Sequence, residues 1–183
     1  MTSSRIDAAT HRTTEKPQLL AGDDALEKIR ALLGEFRTAM LTTVEAGIIR
    51  TRPMGVQGKA EDFAGTLWFF TDDRSHALQE LEHGARSSLI FQSDAKNAYL
   101  QLEGRAAEVR DREKMQELYT PLLKTWFPEG LDDPHLTLIR FDADSGHFWD
   151  SPGGMFQVLG AFAKALVTHE PAQGGEKGDL ELH

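Results

Sequence analysis

Alternating apolar and polar residues fill the middle of this chain, and the apolar spacing typical of helices is confined to a few segments. Stretches rich in β-branched and aromatic residues predict strands over 40–44, 48–56, 66–71, 88–91 and 99–109. Residues 136–141 and 147–149 predict a further hairpin that turns at Ser145-Gly146. Helices are predicted after Asp23-Asp24 and at Ser75, and residues 155–166 predict an amphipathic helix or an extended cover.

A longer helix is predicted to begin at Asp111. Its buried face would carry four large apolar residues at helical spacing, namely Met115, Leu118, Leu122 and Trp126. Pro121 falls inside this pattern, and we expect a kink there because proline cannot donate its backbone hydrogen bond.

The order of these elements predicts the fold class. Strands follow one another as hairpins with few helices between them, which favours an antiparallel sheet over a parallel one. At this length a closed or split β-barrel is the natural arrangement, because closure removes exposed sheet edges. We therefore predict a mainly β fold with flanking helices. The chain has no Gly-x-Gly-x-x-Gly fingerprint and no Gly-x-x-x-x-Gly-Lys loop.

Composition sets the domain limits and excludes several classes of function. The 183 residues predict one domain over 22–168, between flexible tails over 1–21 and 169–183. The net charge of −9 argues against a nucleic-acid or anionic-membrane surface. No apolar run is long enough for a membrane span, and the N-terminal residues lack the apolar section of a secretory signal. The absence of cysteine fits a cytoplasmic location and excludes thiolate chemistry.

Three short segments suggest a site for an anion beside a flat apolar surface. They are Thr51-Arg52-Pro53-Met54 on one strand, Phe70-Thr71 at the end of the next, and Ser75-His76 at a helix start. A purely structural turn is the alternative explanation for these segments. The histidines show no metal-binding spacing, so no metal site is predicted. Trp149 is either a core residue or an aromatic wall for a planar ligand.

Six motifs, in order, resemble the pyridoxamine 5′-phosphate oxidase-like flavoproteins, and in particular their bacterial general stress protein branch. The motifs are 51–54, 67–71, Ser75-His76, 99–104, 126–130 and 148–152, and the resemblance covers roughly 24–168. It implies a split β-barrel of the FMN-binding type. It also implies a homodimer with FMN, or alternatively FAD, in a cleft shared by two subunits.

The resemblance also assigns roles to individual residues. The strand from Thr51 to Met54 would line the flavin ring, with Arg52 reaching its polar edge or the phosphate. Phe70 and Thr71 would lie beside the ribityl chain and phosphate, and Ser75 and His76 would contact the phosphate. Tyr99 and Trp149 would approach the ring, with Trp149 expected from either the same or the partner subunit. No catalytic residue is assigned.

One departure from the family concerns the phosphate. Ala77 stands where the family usually has a lysine, and losing one charge-assisted contact would cost about 1.5–3 kcal/mol of binding. Restoring a lysine would tighten FMN binding if this turn holds the phosphate, whereas it would destabilise the helix if Ala77 is buried.

The resemblance leaves two functions open. One is a stress-response flavoprotein that acts as a low-turnover oxidoreductase, and the other is a flavin-binding or flavin-sequestering protein without turnover. Nothing in the chain is suited to grip a pyridoxine phosphate, so pyridoxamine-phosphate oxidase activity is not expected. The apolar residues Phe148, Trp149, Met155, Phe156 and Phe162 exceed what one small barrel buries, which independently favours a dimer.

Overall fold

The computed structural model of the chain describes residues 18–81, 86–150 and 176–182. Its strands are β1 (Gln18–Ala21), β2 (Thr38–Glu45), β3 (Ile48–Gln57), β4 (Thr66–Asp72), β5 (Arg86–Ser93), β6 (Ala98–Val109), β7 (Leu136–Asp150) and β8 (Glu176–Glu181). Its helices are α1 (Gly22–Leu33), α2 (His76–Leu81) and α3 (Arg112–Leu118), with 3₁₀ turns at Ala60–Asp62, Pro121–Thr125 and Gly130–Asp132. None of these helices is long and apolar enough to cross a membrane. The helix or cover predicted over 155–166 lies outside the described residues.

The strands form a ring. In the order β7, β4, β3, β2, β5 and β6 each strand pairs antiparallel with the next, and β6 pairs back with β7. The β2–β3 hairpin turns at Ala46 and Gly47, whose φ angles are 49° and 81°. Two positive φ angles give the local twist that a two-residue hairpin needs. The predicted mainly β split barrel is confirmed.

The long strand β7 splits the barrel. Its first half pairs with β4 and its second half pairs with β8, while β6 runs along its other edge. The predicted hairpin at Ser145-Gly146 is therefore wrong. At that point the β6–β7 register shifts between Glu103 and Gly104. A bulge lets one strand bend without reversing, and Gly104 is required there because a Cβ would lie 2.0 Å from the Asp142 carbonyl oxygen.

Alternation along the strands builds the core inside the ring. Inward residues of every barrel strand form the main cluster, including Leu41, Phe69, Leu89, Leu102 and Phe141. A second cluster lies on the other face of β4 and β7, where Phe70 and Leu138 pack against Met115 and Leu118 of α3. The sheet thus has a buried inner face, and among the described helices α3 covers one side of its outer face.

The helices α1 and α2 lie at opposite ends of β3. α1 contacts β1, β6, β8 and the 3₁₀ turn Ala60–Asp62, which follows the C-terminal end of β3. The contacts of α2 are with β2 and β6, and its Glu80 bonds to Arg50 and Arg52 near the start of β3. The predicted cap of α1 differs slightly, since Ala21 is the N-cap and Asp23 and Asp24 lie in the first turn. Acidic residues there favour the helix dipole.

Both predicted tails contain a strand, which corrects the predicted domain limits of 22–168. β1 lies within 1–21 and β8 lies within 169–183, and the two pair parallel to each other. Leu180 of β8 is buried in the main core cluster. Gly178 permits this packing, because a Cβ would lie 2.2 Å from the Gln18 carbonyl oxygen and 2.8 Å from the Phe148 ring.

The helix predicted from Asp111 is shorter than its apolar pattern. Asp111 caps α3 by accepting a hydrogen bond from the Lys114 N–H at 3.0 Å, as predicted. The helix ends at Leu118, because Pro121 disfavours helical backbone at Thr120, which is extended with φ −129° and ψ 148°. Pro121 starts a 3₁₀ turn instead of kinking a helix, and Leu122 and Trp126 are 78% and 73% exposed.

Candidate functional site

The predicted ligand strand, β3, divides its residues between two faces. Arg52 and Met54 point to the barrel interior with Leu41 and Ala39, the residues opposite them on β2. Thr51 and Pro53 are exposed on the outer face, where the Thr51 hydroxyl lies 3.1 Å from that of Thr42. The segment 51–54 therefore presents an apolar and hydroxyl surface outward and a guanidinium inward.

A buried carboxylate organises the inner part of β3. The side chain of Glu80 is 3% exposed and accepts hydrogen bonds from Thr43 Oγ1 and Arg52 Nη2. Arg50 Nε lies 3.2 Å from Glu80 Oε1, and Arg52 Nη2 also donates to Thr43 Oγ1 at 2.9 Å. We call these four residues, Thr43, Arg50, Arg52 and Glu80, the Glu80 cluster.

The Glu80 cluster is charged and incompletely satisfied. Burial alone would raise the pKa of Glu80, but hydrogen bonds from Thr43 and Arg52 and the charges of both arginines outweigh it and hold that pKa below its usual range. Arg52 Nη1 is buried without a hydrogen-bond partner among the described residues. An unsatisfied buried donor is costly, so this nitrogen favours an added acceptor.

The turn between β4 and α2 supplies hydroxyl groups. Thr71 Oγ1 donates to Ser75 Oγ at 3.2 Å, and the Ser75 N–H donates to the Asp72 carbonyl oxygen at 2.9 Å. Thr71 is buried and Ser75 is half-buried. The structure therefore brings together these two predicted residues, and α2 links their turn to Arg52 through Glu80.

His76 and Ala77 begin α2 in opposite environments. The His76 side chain is exposed, whereas Ala77 is 4% exposed and belongs to the main core cluster. A lysine at position 77 would therefore enter the core instead of a phosphate site. The helix has only six residues, so it contributes little dipole of its own.

Two carboxylates in the same turn are neutralised by cations. Asp72 accepts hydrogen bonds from Arg74 Nε at 2.9 Å and from the Arg74 N–H at 2.8 Å, and they lower the pKa of Asp72 to about 2. Asp73 pairs with His135 Nδ1 at 2.9 Å and with Arg110 Nη2 at 3.0 Å, which lowers its pKa as well. Asp72, Asp73 and His135 are close enough together to hold a metal ion, but their ligand atoms are already paired, and we assign no metal to them.

Phe70 is separated from Thr71 by the sheet. Its ring packs in the second core cluster with Leu118 and Leu138, on the face away from the barrel interior. Only the backbone of Phe70 is left to contact a ligand beside Thr71.

Tyr99 and Trp149 form a distant second group. They are opposite one another on β6 and β7, on the outer face of the sheet. Three strand-to-strand steps separate β3 from β6, which is about 14 Å at the usual strand spacing. Trp149 is on β7, seven residues beyond Asp142, where the pairing of β7 with β4 ends. A single chain therefore does not bring Tyr99 and Trp149 into contact with Thr51 and Arg52.

The outer face between these two groups is apolar and exposed. Its large apolar side chains are Ile49, Val44, Met40, Ile90 and Trp149, which are 70%, 49%, 37%, 42% and 46% exposed. The strand registers place them on one continuous face, since Ile49 is opposite Val44 and Met40 is opposite Ile90. We call these five residues the outer apolar face. An exposed apolar area of this kind usually marks an interface.

A cavity of about 280 Å³ lies at the other end of β3, between α1 and the 3₁₀ turn Ala60–Asp62. Leu33, Phe36, Val56 and Leu67 are among the residues that line it, and none of the predicted ligand residues does. The candidate ligand residues instead surround an open surface, which fits a site that a second chain completes.

The predicted site residues did not include Glu80, Thr43 or Arg50. Two signals were present: Arg50 and Arg52 alternate on one face of a strand, and Glu80 lies among apolar residues of a short helix. Two like charges on the same face of a strand are stabilised by a counter-charge between them. The contact between α2 and the start of β3 is a tertiary contact, and no local sequence pattern predicts it.

Comparison with known proteins identifies the family. The family described as pyridoxamine 5′-phosphate oxidase like matches residues 24–173, so this chain is a split-barrel protein that belongs to that family. A putative general stress protein 26 from Jannaschia sp. CCS1 is 27% identical and superimposes with a TM-score of 0.72, covering 86% of this chain and 98% of that one.

Two further relatives are similar. The general stress FMN/FAD binding protein from Xanthomonas citri is 31% identical, with a TM-score of 0.60 over 69% of this chain and 88% of that one. Protein bli-3 from Neurospora crassa is 22% identical over 160 residues, which is 82% of this chain and 76% of that protein.

Proposed function

We propose that this protein binds FMN at a site formed by two copies of the chain and acts as a low-turnover flavin-dependent oxidoreductase of the general stress type. The observation that carries the proposal is the position of Arg52. Its guanidinium has a buried, unpartnered Nη1, and its own strand presents Thr51 and Pro53 on an exposed apolar sheet face. The guanidinium and this apolar surface lie on opposite faces of one strand. Together they supply an anion-binding group and a flat apolar area, which a ligand with a ring and a phosphate requires.

The residues present fit such a ligand. Arg52 would hold the phosphate end, together with the hydroxyl groups of Thr71 and Ser75 and the exposed ring of His76. Thr51 and Pro53 would lie beside the ring, and Met54 would contribute only its backbone, because its side chain is in the main core cluster. When bound, FMN supplies the electron transfer, and the chain supplies orientation and exclusion of water. The Xanthomonas citri relative, described as FMN/FAD binding, supports flavin over other phosphorylated ligands.

The second copy would supply Tyr99 and Trp149. These two residues are too far from Thr51 to act in the same chain, and they share the outer apolar face with it. Packing two such faces would remove the exposed Ile49 and Met40 from water. A twofold arrangement repeats the contact on both copies, so it would create two equivalent sites.

A flavin-binding protein without turnover is the second candidate. Among the described side chains on the outer face near Thr51 and Pro53, Thr42, Ser88 and Met40 do not titrate near neutral pH. No group there is suited to move a proton to or from a substrate. This observation supports storage or sequestration of flavin as the alternative to catalysis.

One set of spectra tests both candidates. The purified protein is expected to show flavin absorbance, or to acquire it on titration with FMN, with FAD measured in parallel. Anaerobic NADH or NADPH should then bleach the bound flavin, and air should restore its colour. Flavin that binds but is not reduced would contradict the oxidoreductase and support the non-catalytic protein. Binding of neither flavin would refute both.

A further inference from the structure

We propose that Arg50 is a second anion-binding residue of the flavin site, and that the buried Glu80 positions Arg50 and Arg52 as a pair that receives the phosphate. This inference rests on the proposed function. Arg50 would supply a positive charge that α2 does not, since Ala77 near the start of that helix is buried in the main core cluster.

The two arginines lie side by side. Arg50 and Arg52 alternate on β3, so both side chains leave the same face, opposite Thr43 and Leu41 of β2. Two guanidinium groups on one face repel each other unless an anion lies between them. The Glu80 carboxylate meets this need with one oxygen for each arginine: Oε1 is 3.2 Å from Arg50 Nε, and Oε2 accepts from Arg52 Nη2.

The order of burial shows from which side a ligand can approach. The Glu80 side chain is 3% exposed, that of Arg52 is 21% exposed, and that of Arg50 is 51% exposed. The carboxylate is thus the deepest member of the cluster, and the guanidinium groups lie between it and solvent. A phosphate arriving from solvent would meet the arginines without displacing Glu80.

Both arginines retain unused donors. Arg50 forms its ion pair through Nε, and its Nη nitrogens form none within the described parts of the chain. Arg52 uses Nη2 for Glu80 and Thr43, while its Nη1 is buried with no partner there. One carboxylate against two guanidinium groups leaves a net positive charge, which suits a phosphate dianion.

Glu80 also joins the two parts of the site. It lies one helical turn after His76 on α2, and the Thr71–Ser75 turn leads directly into that helix. A single buried carboxylate therefore fixes β3 relative to the hydroxyl groups of the turn. Glu80 is a positioning residue in this proposal, because it does not contact the ligand.

The test compares FMN with riboflavin, which has the same ring and no phosphate. Fluorescence titration of Arg50→Ala should show roughly a tenfold or greater loss of FMN affinity, with riboflavin affinity changed less than about twofold. Arg50→Lys should recover part of the loss. Arg140→Ala is the matched control, because Arg140 is 47% exposed and paired with Asp142 on another part of the barrel. It should leave both affinities unchanged.

Glu80→Gln tests the positioning role through the sign of its effect. Removing a negative charge near a phosphate should tighten FMN binding if charge alone matters. If Glu80 positions the arginines, FMN binding weakens about tenfold instead and riboflavin binding does not. Thr43→Val leaves the charge of Glu80 intact and should also weaken FMN binding. This variant tests the positioning role of Glu80 if Glu80→Gln does not fold.

The outcomes separate this inference from the proposed function. A wild-type protein that binds neither FMN nor riboflavin would overturn both. If the wild-type protein binds both ligands and Arg50→Ala leaves the ratio of FMN affinity to riboflavin affinity unchanged, only the role of Arg50 is overturned. Tighter FMN binding by folded Glu80→Gln would overturn the positioning role of Glu80.

Discussion

Tyr99 and Trp149 are opposite one another across the β6–β7 pair, and both face away from the barrel core. Trp149 is 46% exposed, whereas its neighbour Phe148 is 1% exposed on the inner face. The sequence left two roles open for Trp149, a core residue or an aromatic wall for a planar ligand. Its exposure excludes the core role. Because Tyr99 is three strand-to-strand steps from β3, its neighbour Trp149 does not reach β3 of its own chain. A ligand on β3 could therefore contact Trp149 only from a second copy of the chain.

Met40→Glu is expected to prevent dimerisation. Met40 lies at the centre of the outer apolar face, opposite both Pro53 and Ile90, and a carboxylate there would be buried without a partner in the proposed interface. Light scattering should give about twice 20.4 kDa for the wild type and 20.4 kDa for the variant. Leu122→Glu, at a 78% exposed position beside α3, is the control and should remain a dimer. A wild-type monomer at micromolar concentration would refute the interface.

Flavin binding is expected to quench the fluorescence of Trp149. The chain has three tryptophans, and Trp126 is 73% exposed beside α3, away from the outer apolar face. Trp149→Phe should remove most of the quenching caused by FMN, and Trp126→Phe should preserve it. Equal quenching in the two variants would show that Trp149 is not near the ring.

Ala77→Lys is expected to destabilise the protein. Ala77 is in the main core cluster, so a lysine would bury an unpaired charge at a cost on the order of 3 kcal/mol. Urea denaturation should show the loss, and Gln79→Lys, at an exposed position on the same helix, should show almost none. A stable Ala77→Lys protein with tighter FMN binding and unchanged riboflavin binding would instead place the phosphate at this turn.

Acid is expected to remove part of the stability of the β4–α2 turn. Hydrogen bonds from the side chain and backbone of Arg74 lower the pKa of Asp72 from 3.8 to about 2. A lowered pKa in the folded state contributes stability that is complete above pH 3.8 and is lost as the pH falls through about 2. Asp72→Asn should therefore lower the urea midpoint at pH 6 and change it much less at a pH near 2.

The control for this prediction is Asp62→Asn, at an exposed position in the 3₁₀ turn Ala60–Asp62. It should change the midpoint little at either pH. If the effect of Asp72→Asn is the same size at both pH values, the stabilisation does not come from the ionised carboxylate.

Local patterns in the sequence were enough to predict most of the barrel. The β2–β3 hairpin followed from Ala46-Gly47 between two apolar runs, and α3 was correctly started at Asp111. The error at Ser145-Gly146 had a different origin. Those residues resemble a turn, but β7 runs through them because β6 pairs along its whole length, and such pairing depends on residues far away in sequence.

In the candidate site, too, the sequence predicts the local features and does not predict the long-range contacts. The alternation along β3 predicts that Arg52 and Thr51 lie on opposite faces of the strand. It does not predict the partner of Arg52, because Glu80 lies on α2 and meets Arg52 only in the folded chain. β1 and β8 were missed for a related reason. β1 has only four residues and β8 is mostly polar, and each is a strand because of the pairing that joins Gln18 to Gly178. Single-sequence patterns do not contain that information.

The parallel pair of β1 and β8 constrains the order in which this protein can fold during synthesis. In the described part of the chain, β1 pairs with β8 alone, and β8 follows it by about 160 residues. The ribosome therefore releases β1 first, and its edge must wait, unpaired, until almost the whole barrel has emerged. We infer that the six-stranded ring can close around its core beforehand, and that the joining of these two strands is a late step that locks an already formed domain.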